Sequence, residues 1–184
     1  MEQGTLTTQR LVLRPLTQAD GKDVQRLAGE RLVSDTMLTI PYPYPDGCAE
    51  PWIATHPAQW EAGKEAHFAI TLRGSGQLVG VIGLTVAKSH RRADMGYWLG
   101  SEHWGKGYCT EAARAVVGFA FDGPLHLNRV TASHMVRNPA SGRVMQKIGM
   151  TYEGCLRRHV CKDGQFEDIA CYGILRDDFV SAQV

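Results

Sequence analysis

The feature that most constrains the fold of this chain is a change of hydrophobic period on either side of a short glycine-bearing loop. Residues 93–99 alternate in the manner of a strand, with Met95, Tyr97 and Leu99 on one face. Over residues 108–120 the apolar residues recur instead at helical spacing. A strand, a glycine-bearing loop and a helix in this order predict a domain in which helices pack on a sheet.

The rest of the chain continues this mixture of strands and helices. Strand-like runs cover residues 8–16, 66–72, 78–86, 93–99, 128–136, 151–161 and 166–174. Helices are expected after Thr17, over residues 49–63, after residue 108 and from Asn138 onward. The order β-α-α-β-β-β-α-β-α-β-β predicts one α/β (α+β) domain over residues 1–184, with a mixed sheet and helices on its faces.

Composition and charge exclude several classes of protein. The formal net charge of the 184 residues is only +1, which argues against a nucleic-acid-binding face. No run approaches the roughly 20 apolar residues that span a bilayer, and the polar N-terminus lacks a signal-peptide core. We therefore expect a cytoplasmic protein without membrane association. The seven histidines are scattered and the five cysteines form no C-x-x-C pair, so neither a metal site nor a disulfide framework is expected.

The loop at residues 104–108 has the properties of a phosphate-binding turn. Its two glycines allow a close approach of the backbone to a ligand, and the free amides that begin the following helix attract anions. A Walker A loop is excluded because Tyr108 follows Gly107, and a dinucleotide fingerprint is excluded because Thr110 occupies its third glycine position. A helix N-terminus whose glycines serve only packing is the alternative interpretation.

Further motifs accompany this loop in order along nearly the whole chain. They are Arg10-Leu11-Val12-Leu13-Arg14-Pro15, Gly96-Tyr97-Trp98-Leu99, Trp104-Gly105-Lys106-Gly107-Tyr108, Asn128-Arg129-Val130, Asn138-Pro139-Ala140-Ser141, Lys147-Ile148-Gly149-Met150, Glu153-Gly154 and Tyr172-Gly173-Ile174-Leu175. In this combination the chain resembles the GNAT acetyltransferase superfamily, and more closely its RimJ/RimL-type branch of ribosomal-protein N-terminal acetyltransferases. One position departs from the superfamily signature, because Glu102 stands where glutamine or arginine is usual.

The resemblance implies a fold, a co-substrate and a set of contacts. The fold is a mostly antiparallel sheet of six to seven strands, flanked by about four helices and opened by a V-shaped splay between the fourth and fifth strands. The co-substrate is acetyl-CoA, with its pantetheine arm along the fourth strand and its pyrophosphate on the loop; no metal is required. The implied contacts to coenzyme A come from Tyr97, Trp98, Leu99, Trp104, Gly105, Lys106, Gly107, Tyr108, Cys109, Thr110, Asn138, Ser141 and Lys147.

The same resemblance implies that an amine attacks the thioester directly, which calls for a proton donor and a base. Ser141 is the candidate acid near the sulfur, on the same side of its helix as Asn138. A helix N-cap and an exposed first-turn serine also explain this pair. Asp94 and Glu153 are the candidate bases. A relay of water molecules stays an open alternative, as do His134, Glu167 and Asp168.

The acceptor is expected to bind between the first two helices, the proline-rich loop at residues 40–47 and the last hairpin. Tyr42, Tyr44 and Trp52 offer an aromatic wall there, or else form part of the core. The expected reaction is acetyl transfer from acetyl-CoA to a primary amine, either a protein N-terminus or a small molecule, by a monomer or a homodimer. The alternative is a non-catalytic domain that binds acyl-CoA.

Overall fold

The computed structural model describes residues 3–179, which build one eight-stranded sheet. The strands are β1 (Leu6–Thr7), β2 (Leu11–Arg14), β3 (Glu65–Leu72), β4 (Leu78–Ala87), β5 (Arg92–Leu99), β6 (Arg129–Met135), β7 (Thr151–Lys162) and β8 (Gln165–Leu175). Their order across the sheet is β1-β2-β3-β4-β5-β6-β8-β7. Every neighbouring pair is antiparallel except β5 with β6, so the expected mixed, mostly antiparallel sheet is confirmed.

The helices form layers on both faces of the sheet. Within the described residues they are α1 (Gly21–Ala28), α2 (Arg31–Ser34), α3 (Ala49–Glu61), α4 (Tyr108–Asp122) and α5 (Pro139–Lys147). Helices α4 and α5 pack together on one face, whereas α1, α2 and the start of α3 pack on the other. Between residues 3 and 179, no helix is long and apolar enough to cross a membrane.

The central strands are buried between these two helical layers. Every residue of β4 from Leu78 to Leu84 is buried, because successive side chains point to opposite faces and both faces are covered. Ile82 and Leu84 join the core beneath α4, whereas Val81 joins the core beneath α1. Because β5 pairs with β4 along its whole length, these cores also fix the position of β5.

The parallel neighbours β5 and β6 separate after three residue pairs. The last pair joins Asp94 to Thr131, and no strand pairing follows it. From Met95 to Leu99, β5 therefore has no strand partner on its β6 side within the described residues. The resemblance implied a V-shaped splay between the strands predicted at residues 93–99 and 128–136. These strands are β5 and β6, and the opening lies between them.

Two elements are additional to the expected set. Strand β1 has only two residues and α2 is a single turn, so neither leaves a periodic signal in the sequence. The first helix also begins later than the sequence indicated, because a 3₁₀ turn over Gln18–Asp20 precedes it. Asp20 stabilises this turn by accepting a hydrogen bond from the Thr17 backbone N–H at 2.7 Å.

Candidate functional site

A cavity of about 340 Å³ passes through the gap between β5 and β6. Its walls come from β5, from the loop before α4, from α4 and α5, and from the end of α2 on the opposite face of the sheet. The expected coenzyme A contacts that line it are Tyr97, Trp98, Leu99, Trp104, Gly105, Gly107, Tyr108, Cys109, Thr110, Asn138, Ser141 and Lys147. Of the thirteen residues expected to contact coenzyme A, only Lys106 is not part of the lining.

The loop before α4 is held in a conformation that requires glycine. Gly105 and Gly107 have φ angles of 74° and 78°, in the left-handed region that other residues rarely adopt. A Cβ atom at Gly105 would meet no neighbouring atom, so the space above the loop is open. The first intrahelical bond of α4 is donated by the Glu111 amide to the Gly107 carbonyl, which leaves the preceding amides without helical partners. This geometry fits a pyrophosphate.

Arg10 of the N-terminal region anchors this loop from below. Its Nη1 donates to the Lys106 carbonyl at 2.9 Å, and its Nε donates to the Glu111 carboxylate at 2.7 Å. The guanidinium also lies over the Tyr108 ring, 4.9 Å from the ring centroid. Glu111 accepts a further bond from the Thr8 hydroxyl at 2.6 Å. The loop and the start of α4 are therefore fixed to the edge of the sheet.

Basic and aromatic side chains complete the entrance of the cavity. Trp104 donates from its indole N–H to the Leu99 carbonyl at 2.8 Å and so holds the loop against the end of β5. Lys106 is exposed, and its backbone carbonyl accepts the hydrogen bond from Arg10. Arg143 and Lys147 line the cavity one helical turn apart on α5, where they add positive charge.

Two hydroxyl groups meet deeper in the cavity. The Tyr97 hydroxyl lies 2.9 Å from Ser141 Oγ and donates to the Ser141 carbonyl at 3.0 Å. Asn138 caps α5 by accepting the Ser141 N–H at 3.4 Å. Burial raises the pKa of Tyr97 strongly and the neighbouring Cys109 raises it further, against the hydrogen bond with Ser141. Burial also raises the pKa of Cys109 to about 12, so its thiol stays protonated.

Asp94 lies on the opposite face of β5, in a second groove of about 460 Å³. Its Oδ1 accepts a hydrogen bond from the Thr131 hydroxyl at 2.9 Å. Partial burial raises the pKa of Asp94, although this hydrogen bond and the charge of Arg92 act in the other direction. Ser133 lines both the groove and the cavity, so the two spaces meet beside β6.

The other candidate bases are occupied by structural contacts. Glu153 lines the groove but forms an ion pair with Arg129. The remaining three have these partners: Glu167 accepts from Arg137 at 2.7 Å, Asp168 accepts the Arg158 backbone N–H at 2.7 Å, and His134 Nδ1 lies 2.8 Å from the Met135 carbonyl. Among the candidates, Asp94 is the carboxylate at the point where the strands separate.

The aromatic side chains of the N-terminal region lie outside both spaces. Tyr42 is exposed beside the Arg31 guanidinium, 5.6 Å from it, and Tyr44 packs on the core under α1. Trp52 packs on the same core, with its ring edge against His56. Within the described chain, none of these three rings lines the cavity or the groove.

Several lining residues were not among the expected contacts. From the face of the sheet that carries α1 the cavity receives Val33, Thr36, Met37 and Ser133, and from the face that carries α4 it receives Met95, His103 and Arg143. The residues of α2 and of the segment after it are brought to the gap by tertiary packing. Two of the others had a signal in the sequence, because Met95 lies in the alternating strand pattern and Arg143 precedes Lys147 by one helical turn.

The fold and the site together define an acetyltransferase. Residues 10–151 match the family described as the acetyltransferase (GNAT) domain. The chain therefore belongs to the GNAT family, and it is an acetyl-CoA-dependent acyltransferase. Between residues 3 and 179, no group of three or more His, Cys, Asp or Glu side chains is arranged to hold a metal ion.

Particular relatives confirm the RimJ/RimL-like resemblance. The chain is 30% identical over 177 residues to the uncharacterized N-acetyltransferase YoaA of Bacillus subtilis (strain 168), covering 93% of this chain and 96% of that one. It is 26% identical over 176 residues to the ribosomal protein uS5-alanine N-acetyltransferase of Escherichia coli (strain K12), covering 89% and 86%. The structure of RimL, a ribosomal L7/L12 alpha-N-protein acetyltransferase in complex with coenzyme A, has a TM-score of 0.85 at 18% identity, over 98% of this chain and 100% of its own.

Proposed function

We propose that this protein transfers the acetyl group of acetyl-CoA to the α-amino group of a peptide or protein chain. One observation carries the proposal: the cavity, which holds the Tyr97–Ser141 hydroxyl pair, crosses the sheet and meets at Ser133 the groove that holds Asp94. A donor and an acceptor that enter from opposite faces therefore meet in the gap between β5 and β6.

The donor side of the cavity suits acetyl-CoA, which supplies an activated acetyl group. We place the pyrophosphate on the loop at residues 104–108, because its left-handed glycines leave space and its amides lack partners. The unpaired edge of β5 offers backbone groups to the pantetheine arm. Arg143 and Lys147 complement the charge of the phosphates.

The proposed chemistry needs a neutral amine and a stabilised sulfur. As the N–C bond forms, Asp94 takes a proton from the amine, directly or through water. As the C–S bond breaks, the sulfur accepts a hydrogen bond from the Ser141 hydroxyl. The Tyr97 hydroxyl, which its raised pKa keeps protonated, donates to the Ser141 carbonyl and lies 2.9 Å from Ser141 Oγ, so it holds the serine in place. The thiolate then takes up a proton from solvent while Asp94 releases one, so the reaction is proton-neutral.

The charge of the groove favours a single amine over a polycation. Two carboxylates line it, and Glu153 is already paired with Arg129. Asp94 alone is thus available to an incoming amine, whereas a polyamine calls for several carboxylates. Leu38, Leu156 and Val160 add apolar surface. The uS5-alanine acetyltransferase among the relatives supports a protein N-terminus as the acceptor.

We also infer that the protein acts in the cytoplasm. Its five cysteines, Cys48, Cys109, Cys155, Cys161 and Cys171, are all free thiols. Unpaired thiols are typical of a reducing compartment.

The test measures release of the coenzyme A thiol from acetyl-CoA in the presence of three kinds of amine. These are tetrapeptides with a free N-terminal alanine or serine, the same peptides with a blocked N-terminus and an internal lysine, and spermidine. We expect release with the free N-termini alone. Selective release with spermidine would replace the proposed acceptor class. Tight coenzyme A binding without release from any amine would instead favour a non-catalytic acyl-CoA-binding domain.

A further inference from the structure

Residues 35–40, which we call the acceptor segment, connect α2 to the proline-rich loop. Thr36 and Met37 line the cavity, whereas Leu38 lines the groove on the acceptor side. The segment therefore lies where the donor cavity meets the acceptor groove. Its residues come from the helical side of the sheet that carries α1 and α3, yet they reach across the gap to β6.

Two cations from the far side of the gap hold the two ends of the acceptor segment. Arg137, which follows β6, donates to the Asp35 carbonyl at 2.6 Å and to the Asp35 carboxylate at 3.2 Å. Its Nε also binds Glu167 of β8 at 2.7 Å. Lys162, the last residue of β7, donates to the Ile40 carbonyl at 2.9 Å. Both contacts join the segment to strands on the β6 side of the splay.

Lys162 is unusual because it is a buried lysine. The residue is 7% exposed, and within residues 3–179 its ammonium group binds one backbone carbonyl and no carboxylate. A buried charge with so few partners is costly, and an apolar side chain of similar volume is often equally stabilising or better. An apolar side chain could therefore serve the stability of the fold as well, and what the lysine adds is the hydrogen bond that holds the Ile40 carbonyl.

On the basis of the proposed acetyl transfer to a peptide N-terminus, we propose that Lys162 and Arg137 are positioning residues of the acceptor site, because their hydrogen bonds fix the two ends of the acceptor segment. Met37 and Leu38 of this segment present apolar side chains where the cavity meets the groove, so the fixed segment favours an acceptor with an apolar side chain close to the reacting amine. When either hydrogen-bonding side chain is lost, the segment shifts and acceptor binding weakens, while the loop before α4 stays in place.

The first experiment replaces Lys162 by methionine, which has a similar length and no charge. We expect the acceptor KM of Lys162→Met to rise about tenfold, because the segment is then ordered only when the acceptor binds, and one hydrogen bond to a charged group is worth about that factor. The kcat at saturating acceptor and the KM for acetyl-CoA are expected to stay unchanged, and Tm is expected not to fall. Lys88→Met, at an exposed lysine after β4, is the matched control and should leave every parameter unchanged.

The second experiment measures selectivity with two tetrapeptide amides that have a free N-terminal alanine and either leucine or glutamine in second position. The wild-type protein is expected to prefer the leucine peptide in kcat/KM. Leu38→Gln and Lys162→Met should both reduce this preference. Arg137→Lys, which keeps the charge but loses the forked geometry, should lie between the wild type and Arg137→Met.

The outcomes separate this inference from the proposed function. If the wild type acetylates the peptides but Lys162→Met leaves acceptor KM and preference unchanged, the function stands and the inference fails. If the KM values for acceptor and acetyl-CoA rise together, the segment has no specific acceptor role. If the wild type acetylates no amine, the proposed function fails. Hydrogen exchange then still tests whether Lys162 positions the acceptor segment. Unchanged protection of the amides of residues 36–40 in Lys162→Met would show that it does not.

Discussion

Tyr97 and Ser141 belong to different elements, and the site depends on their contact. Tyr97 points from β5 toward α5, so its hydroxyl reaches both the side-chain oxygen and the carbonyl of Ser141. A phenol with a raised pKa stays neutral under physiological conditions and serves as a hydrogen-bond donor rather than as a source of protons. Tyr97 therefore holds Ser141 beside the cavity through two polar contacts.

The first prediction concerns this pair. Ser141→Ala is expected to lower kcat about 10- to 100-fold, the range for a lost hydrogen bond to a charged group, with little change in the KM for acetyl-CoA. Tyr97→Phe should lower kcat less, and the double variant should be no slower than Ser141→Ala, because Tyr97 acts through Ser141. Tyr152→Phe removes an exposed hydroxyl outside the cavity and serves as the control. Fully additive losses would show that the two hydroxyls act independently.

Asp94 leads to a second prediction, on pH dependence. A base accepts a proton only when it is ionised, so its raised pKa should move the acidic limb of the kcat/KM profile above the ordinary range of aspartate. Asp94→Asn should abolish that limb and most of the activity, whereas Glu153→Gln should retain it. An unchanged acidic limb in Asp94→Asn would assign the base to another group.

The same shift has a consequence for stability. A carboxyl group whose pKa is raised on folding binds its proton more tightly in the folded state, so its ionisation at higher pH destabilises the fold. We expect Asp94→Asn to raise Tm at pH 7 and to have little effect below about pH 3, where the carboxyl is protonated in both states. Thermal unfolding at the two pH values measures the difference, and a lowered Tm at pH 7 would contradict it.

At the scale of elements, the loop before α4 combines two properties that are usually separate. It is anchored firmly from below, through Arg10 and Glu111, and it is open above, where a side chain at Gly105 would meet nothing. The left-handed glycines shape the turn that leads into α4, whose first amides lack helical partners. Under the proposed function, this loop would bind the pyrophosphate with little rearrangement.

Gly105 has a closely matched control in Gly76 of the β3–β4 hairpin. Both residues have a φ of 74°, and an added Cβ would meet no atom at either one. Valine at either position should cost a similar backbone strain, roughly 1–3 kcal/mol. We expect Gly105→Val alone to lose coenzyme A affinity, measured by calorimetry, while both variants lose similar Tm. Equal affinities in the two variants would remove the loop from the binding site.

At the scale of the whole molecule, one buried histidine links stability to pH. His56 of α3 is 5% exposed and stacks on His67 of β3, with ring centroids 4.3 Å apart. Neither ring nitrogen of His56 has a hydrogen-bond partner among the described residues. Burial, together with the charge of His67, lowers the pKa of His56 to about 4. The fold therefore holds this imidazole in its neutral form.

The expected result is a loss of stability in acid. The unfolded chain binds this proton near the ordinary histidine pKa of about 6.5, so the contribution is complete above that pH and declines as the pH falls toward 4. The loss amounts to up to roughly 3 kcal/mol in the free energy of unfolding. Denaturant titrations at pH 7 and pH 4.5 should show it in the wild type and in His90→Gln, an exposed control, but not in His56→Leu. The same slope in His56→Leu would assign the acid sensitivity elsewhere.

Most strands and helices could be predicted from the sequence, because their hydrophobic periods reflect which face is buried. The period change around the loop located β5 and α4, and Asn138-Pro139 located the start of α5. The two-residue strand β1 and the single turn α2 could not be predicted, since such short elements form only through their neighbours.

The sequence by itself determined the class of fold, the family and the glycine-bearing turn before α4, because glycines and periodicity act over short stretches of chain. Only the tertiary structure decided which side chains share the gap between β5 and β6. Tyr97 meets Ser141, Asp94 turns to the opposite face, and Lys162 reaches the carbonyl of Ile40. Tyr97 and Ser141 are 44 positions apart in the sequence, and Lys162 and Ile40 are 122 positions apart. Contacts between residues so far apart are set by the packing of the sheet and helices, and no local pattern in the chain encodes them.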